Sequence, residues 1–229
     1  MKVAFLIPST SNKREWKTAE ETYLWSILCK SLEQYTPQHQ IKLFVGIDED
    51  DKVFSKFDER QKFKAYFTKF SIQFITMTDD TKGKPTWIWN RVGEEAIKQG
   101  YEYFKILGDD IRMPNDIGWL GCFINKLKKN KNIGWAAGWS NNDQIPTQFL
   151  VHKSHYDIFG FFYPPQIHAW YCDNFMAEIY PNKFRVWLKS YPLLNLGGDP
   201  RYIPENDSKL CEILVRRYKP KLNSYLNKI

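Results

Sequence analysis

The stretch Thr86–Asp110, TWIWNRVGEEAIKQGYEYFKILGDD, decides the fold. Thr86 to Gln99 carries a helical pattern, and Gly100 stops it. Tyr103 to Leu107 is then a short apolar run, long enough for a buried strand and too short for a helix. It ends abruptly in Gly108-Asp109-Asp110. Upstream the same alternation repeats. Val3 to Ile7 is an apolar strand closed by Pro8, and a helical pattern runs from about Thr18 to Gln34. Ile41 to Ile47 is a second strand that ends in Asp48, Glu49, Asp50 and Asp51. Residues 52–68 show helical spacing of Phe54, Phe57 and Phe63, and Ile72 to Met77 is a third strand. Strand and helix in alternation mark a parallel α/β sheet with right-handed crossovers. In such sheets ligands sit beyond the carboxyl ends of the strands, so the polar ends of strands one, two and four are expected to converge on one edge.

Downstream the pattern is less regular. Asp116 to Lys129 reads as a helix and Ile133 to Trp139 as a strand. Gln148 to His152 is a further short strand, followed by a helix over Ser154 to Phe159. Asp173 to Tyr180 is helical and Val186 to Leu194 extended. Gly197-Gly198-Asp199-Pro200 is a loop signal, and a last helix starts near Asn206. Neither a repeat nor a linker interrupts the 229 residues, so one domain is expected. Its nucleotide-binding half would span about 1–113, its acceptor half about 114–205 and its terminal helix about 206–229.

Composition narrows the function classes. The charge is +7, but the lysines are dispersed, and the densest run, Lys126 to Lys131, reads as the solvated end of a helix. No nucleic-acid motif accompanies it, so nucleic acid is not an expected partner. Cys29, Cys122, Cys172 and Cys211 form no CxxC pair and no disulfide framework. The five-residue apolar run at the N-terminus is too short for a signal peptide, and no stretch approaches the roughly 20 residues of a membrane span. A cytoplasmic protein is expected on these grounds. No GxGxxG follows strand one and no GxxxxGK[ST] occurs, which disfavours a dinucleotide fold and excludes the P-loop enzymes.

Several residues at the strand ends could carry chemistry. Adjacent carboxylates such as Asp109 and Asp110 repel unless a cation or donors neutralise them, and oxygen ligands of this kind suit Mg²⁺ or Mn²⁺ bridging to phosphates. The alternative is an Asp-rich turn. Asp48 and Asp50 could accept hydrogen bonds from a base or ribose, whereas Asp51 reads as an exposed turn residue. Pro8, Ser9 and Thr10 could line a nucleotide pocket. Lys82 and Lys84 precede a helix start, with Asn90 and Arg91 in its first turns; cations and helix N-terminal amides suit a diphosphate, or these are loop and surface charges. Asp173 lies among Trp170, Tyr171 and Cys172. Partial desolvation there would raise its pKa toward that of a general base, and a helix N-cap role is compatible with this. His152, His155 and His168 are further base or ligand candidates. Flat rings commonly face sugars.

With these residues in place, Gly83 to Ile111 resembles the GT-A glycosyltransferases, especially the inverting family 2 type. The shared features are Gly83, Asn90, Gly93, Ala96, the turn Gly100-Tyr101, and the strand ending Ile106-Leu107-Gly108-Asp109-Asp110. Leu6-Ile7-Pro8-Ser9-Thr10 and Asp48 look like the family's first two strand ends. The chain departs from the pattern at Gly108, which stands where the family's first metal-motif Asp would be. The late metal-binding His also has no counterpart, with Asn195 or Asp199 the nearest substitutes, and Cys172-Asp173 keeps only the Asp of a Glu-Asp pair. The resemblance implies a single GT-A-like (Rossmann-like) domain with a mostly parallel sheet flanked by helices. It implies transfer of a sugar from a nucleotide-sugar, UDP being the commoner nucleotide, to a glycan or other hydroxyl acceptor. Asp110, with Asp109, would hold Mn²⁺ or Mg²⁺, Asp173 would be the base, Trp135, Trp139 and Trp170 would be candidates for sugar stacking, and Gly197-Gly198-Asp199 could close over the donor. A non-catalytic nucleotide- or carbohydrate-binding module stays open as an alternative. A sugar nucleotidyltransferase is disfavoured, because Ser9-Thr10-Ser11-Asn12 stands where its Gly-rich, Arg-containing loop belongs.

Overall fold

The computed structural model describes residues 2–36, 41–199 and 208–228. In chain order the strands are β1 (Val3–Ser9), β2 (Ile41–Asp48), β3 (Ser71–Met77), β4 (Tyr103–Ile106), β5 (Ile111–Arg112), β6 (Trp135–Trp139), β7 (Leu150–His152), β8 (Arg185–Pro192) and β9 (Leu194–Asn195). The α-helices are α1 (Lys30–Tyr35), α2 (Phe57–Tyr66), α3 (Pro85–Lys98), α4 (Trp119–Lys129), α5 (Ser154–Phe159), α6 (Cys172–Ile179) and α7 (Ser208–Leu226). Seven strands form one sheet in the order β3-β2-β1-β4-β7-β6-β8. β3, β2, β1 and β4 run parallel, β7 is antiparallel to both β4 and β6, and β8 is parallel to β6. The architecture is therefore α/β with a mostly parallel central sheet flanked by helices.

Both faces of the sheet are covered. One core layer joins Phe5, Val45 and Leu107 to Leu24, Trp25, Trp119 and Phe123. The other joins Phe44 and Phe104 to Val92, Phe162, Phe175 and Leu214. Burial on both faces explains why β1 and β2 are near-continuous apolar runs rather than alternating ones. Gly93 lets α3 approach the second layer closely: a Cβ there would lie 2.1 Å from the Phe162 ring.

Four expected elements differ from what forms. The helix over Thr18 to Gln34 is broken into a 3-10 turn (Ala19–Glu21), a π-helical segment (Leu24–Cys29) and α1. The hydroxyls of Thr22 and Ser26 bond the carbonyls of Ala19 (2.6 Å) and Thr22 (2.8 Å), which competes with a regular ladder. α2 starts only at Phe57, because Asp51–Phe54 is tied into a turn. Asp173 is not an N-cap: α6 starts at Cys172, after Tyr171 in the left-handed region at φ 68°. The extended stretch expected over Val186 to Leu194 divides into β8 and β9, and β9 pairs with β5 in a separate two-stranded ribbon. This ribbon matters for the site, because it sets Asn195 opposite Ile111, next to the acidic pair. Pro200 and the boundary expected near 205–206 lie outside the described residues.

Candidate functional site

The carboxyl ends of β1, β2 and β4 open into a cleft of about 1300 Å³. Pro8, Ser9, Thr10, Asp48, Lys84, Asp109, Asp110 and Asp173 all line it. Asp50, Asn90 and Arg91 do not.

The floor is built from two adjacent strand ends. The Ser9 hydroxyl donates to Asp109 Oδ2 at 2.7 Å, and both residues are buried. Asp109 therefore locks β1 to β4, and Asp110 is carried to the cleft by the same turn. The Asp110 carboxylate sits in a cradle of two glycines. A Cβ on Gly108 would approach Oδ1 to 2.7 Å, and one on Gly197 would approach Oδ2 to 2.1 Å. The β5–β9 ribbon and the Leu196 N–H, which donates to the Asp110 carbonyl at 2.9 Å, hold the second glycine there. Gly108, the departure from the Asp-x-Asp pattern, thus has a steric counterpart in this chain. The Gly108 N–H donates to Gln148 Oε1 at 3.1 Å, and the buried Lys105 donates to the Gln148 carbonyl. Lys105 lies over the rings of Trp119 (5.7 Å) and Phe123 (5.4 Å), and burial pushes its ammonium well below the ordinary range.

At the β2 end, Asp48 is buried to 8% exposure, and Asn12 Nδ2 reaches both Asp48 (3.3 Å) and Asp50 (3.0 Å). Asp50 is paired with Lys82, whose hydrogen bond, seconded by that of Asn12, holds its carboxyl below the usual value. Asp51 is not an exposed turn residue. It is fully buried and accepts the N–H groups of Ser11 (2.6 Å), Val53 (3.0 Å) and Phe54 (2.6 Å), so it welds the loop after β1 to the loop after β2. Ser11, Asn12 and Lys13 are therefore site-building residues that composition did not single out.

The segment after Lys82 behaves differently from expectation. Lys84 borders the cleft with its ammonium 4.0 Å from the centre of the Trp87 ring. The first amides of α3 are already engaged: Thr86 N–H donates to the His168 carbonyl (3.3 Å), and Trp87 (3.0 Å) and Ile88 (3.3 Å) N–H donate to that of Lys84. They are not available to a diphosphate. Asn90 spends its amide on the backbone of residues 162 and 163, accepting from Phe162 N (2.8 Å) and Tyr163 N (3.0 Å) and donating to Tyr163 O (2.8 Å). Arg91 bonds Thr78 Oγ1 (2.8 Å) and Asp80 (2.5 Å) at the surface. Asn90 and Arg91 thus serve the fold outside the cleft.

The facing wall runs from His168 to Asn174. Thr86 Oγ1 donates to the His168 carbonyl at 3.0 Å and Trp87 Nε1 to Pro165 O at 2.7 Å, which fastens this segment to α3. Asp173, on the first turn of α6, is half-buried but packed beside Tyr163 and Cys172. Loss of hydration raises its carboxyl to about 7, far above the ordinary 3.8. Of the three tryptophans expected to meet sugars, Trp170 lines the cleft and is 50% exposed. Trp135 is a core residue whose Nε1 donates to Met176 O at 2.8 Å, and Trp139 bonds Asp143 outside the cleft. His155 is also core, bonded to Tyr180 Oη (2.8 Å) and Phe162 O (3.0 Å) and lowered to about 4 by burial. His152 packs on Tyr103, and of these three histidines His168 alone lines the cleft.

Among the described residues no group of three or more His, Cys, Asp or Glu side chains is placed to hold a metal. What the cleft offers is the Asp110 carboxylate in its glycine cradle, Asp109 beside it, and Asn195 on the same rim. A sparse oxygen set of this kind fits Mg²⁺ or Mn²⁺, which keep water and phosphate ligands, and does not fit an ion that needs a closed protein cage.

No family profile matches the sequence, and no curated protein matches it by sequence. The fold does match solved structures. A fragment of S. aureus TarS in complex with UDP-GlcNAc superposes with TM-score 0.60 at 14% identity, over 95% of this chain and 66% of that one. The mannosyltransferase PcManGT from Pyrobaculum calidifontis, in complex with GDP-Man and Mn²⁺, gives 0.62 at 11% identity, over 88% and 58%. GalNAc-T7 with UDP, GalNAc and Mn²⁺ gives 0.59 at 9% identity, over 95% and 48%. The chain spans only 39% of a longer TarS structure. At these identities the likeness is one of fold, and the fold is that of the GT-A glycosyltransferases.

Proposed function

We propose that this chain transfers a sugar from a nucleoside diphosphate sugar to an acceptor hydroxyl. One observation carries the reading: a desolvated carboxyl, Asp173, and a strand-end carboxylate, Asp110, open into the same cleft from opposite walls. In this reading Pro8–Thr10 and Asp48 receive the nucleoside, with Asp48 accepting from base or ribose. Lys84, and not the α3 amides, supplies positive charge toward the diphosphate. A divalent ion, Mn²⁺ or Mg²⁺, would be held by Asp110 with Asp109 and would neutralise charge on the departing diphosphate. The nucleotides bound to the fold's relatives make UDP the first donor to test and GDP the second.

Asp173 acts as the base. It takes the proton of the acceptor hydroxyl as the oxygen attacks the anomeric carbon from the face opposite the diphosphate. The bond from that carbon to the diphosphate oxygen breaks, its electron pair leaves with the nucleotide, and the configuration inverts. A carboxyl held near 7 is matched to this task, because it is ionised at working pH yet retains proton affinity.

Replacing Asp173 with Asn tests the assignment. Transfer should fall by about 10²–10⁴-fold, while nucleotide affinity measured by calorimetry stays within twofold. A second reading, a binding module without turnover, is supported by Gly108, which stands where the Asp-x-Asp pattern has its first Asp. It requires that the wild-type chain bind nucleotide and release no sugar from any donor.

A further inference from the structure

We propose that Gln148 and Lys105 are positioning residues for the Asp110 carboxylate: the Gln148 amide fixes the turn that presents it, and the buried Lys105 amine fixes Gln148. This deepens the transfer reading, on which it rests, by two residues outside the set that touches donor or acceptor.

The ladder between β4 and β7 breaks off where the cleft begins. Its last rung is the Ile106 N–H, which donates to the Phe149 carbonyl at 2.8 Å, in keeping with the antiparallel register that sets Lys105 opposite Leu150. Two residues further, the same register would offer the Thr147 carbonyl to the Gly108 N–H. Instead Gln148 takes φ 56°, in the left-handed region that a residue with a Cβ enters at a cost. The chain leaves the ladder there, and the Gln148 side chain supplies the acceptor in its place: Oε1 takes the Gly108 N–H at 3.1 Å. The Gln148 carbonyl is taken in turn by Lys105, which is fully buried beside the Trp119 and Phe123 rings. An amine is costly in such surroundings, and an apolar side chain of the same length would fill them without that cost. Stability of the fold therefore does not account for Lys105, whereas capture of the Gln148 carbonyl does.

The consequence for the site is direct. Leu107 is held by other elements, its N–H by the Leu6 carbonyl at 3.2 Å and its carbonyl by Trp89 Nε1 at 3.1 Å. The Gly108 N–H depends on Gln148. Gly108 stands against Asp110, since a Cβ there would lie 2.7 Å from Oδ1. A shift of the Gly108 peptide therefore moves the surface on which that carboxylate rests. Strained backbone of the kind seen at Gln148 is typical of sites where geometry is held for function. Partners that orient a ligating group without touching the ion commonly change its affinity by about 10–100-fold.

The test compares Gln148→Leu, Gln148→Glu and Lys105→Met with the wild type. It reads hydrogen exchange at the Gly108 amide by NMR, affinity for UDP and GDP with Mn²⁺ by calorimetry, and the melting temperature. In Gln148→Leu the Gly108 amide should exchange faster and nucleotide affinity should fall about tenfold or more, with the melting temperature little changed. Gln148→Glu keeps an acceptor and should restore the protection of Gly108. Lys105→Met should lower affinity in the same way while the melting temperature holds or rises, an outcome that a merely structural lysine would not give. Unchanged Gly108 exchange or unchanged affinity in Gln148→Leu would overturn the proposal. A Lys105→Met chain that fails to fold, or melts lower with its affinity intact, would overturn the role given to Lys105, and Gln148→Leu decides that of Gln148 by itself. A wild type that binds neither nucleotide would refute the transfer reading instead, and Gly108 exchange in the two Gln148 variants would then decide whether Gln148 holds the turn.

Discussion

In the transfer reading, Asp173 would couple activity to stability. Its folded-state carboxyl, raised to about 7 against 3.8, binds a proton in the folded chain at pH values where the unfolded chain has released it. The group therefore stabilises the fold relative to its ionised form below pH 4, and that contribution is lost as pH rises through 7. Asp173→Asn should leave stability at pH 4 almost unchanged and raise it at pH 8.5. The gain should be about 2 kcal/mol, scaled down from 1.4 kcal/mol per pK unit because the cleft admits water. Urea unfolding at the two pH values measures it. In the wild type, kcat/KM should climb to a plateau above about 7, and that limb should vanish in the variant. Asp110 gives a second residue-level expectation. Gly197→Ala would drive a methyl onto Oδ2 in a rim loop, so nucleotide affinity should fall at least tenfold while the melting temperature changes little. Nucleotide titration of the variant checks this. The sequence showed which carboxylates crowd the strand ends. It did not show that Asp109 is a strut to Ser9 while Asp110 faces the cleft, because adjacent residues in a turn look alike until the turn is built.

Among elements, those with sustained periodicity were the readable ones. β1, β2 and α3 have long patterns set by two-sided or one-sided burial, and they form where expected. The β5–β9 ribbon has two residues on each side, too few for any period, yet it brings Asn195 and Gly197 to the acidic pair. The amides of α3 illustrate another limit. Lys84-Pro85-Thr86 is a sound helix start, but only the fold reveals that the His168 carbonyl occupies one of its N–H groups. Asp51 is the joint between two such elements. Asp51→Ala would strand the buried N–H groups of Ser11 and Phe54 and leave that of Val53 only the Ser11 hydroxyl at 3.2 Å, so it should cost about 3 kcal/mol of stability, read as a lower urea midpoint. If it matches the cost of an exposed turn substitution, within about 0.5 kcal/mol, the joint is not as described.

For the molecule as a whole, alternation of strand and helix was enough to anticipate a mostly parallel sheet and a cleft beyond its carboxyl edge. It could not anticipate that β7 would enter antiparallel between β4 and β6, because its three residues carry no direction in their sequence. The net charge of +7 likewise says little about the site, since the described lining of the cleft mixes four Asp with three Lys. No described helix is long and apolar enough to cross a membrane. The sheet order, the cleft and its two carboxylates are properties of the assembled chain, and the donor nucleotide is the ligand that would engage most of them at once.

The most direct measurement is therefore calorimetric binding of UDP and GDP with Mn²⁺ and again with EDTA, on the wild type and on Asp110→Ala. The expected result is binding of one nucleotide that is lost with EDTA and reduced at least a hundredfold in the variant. Folded wild-type protein that binds neither nucleotide with Mn²⁺ present would contradict the assignment of this cleft to a nucleoside diphosphate sugar.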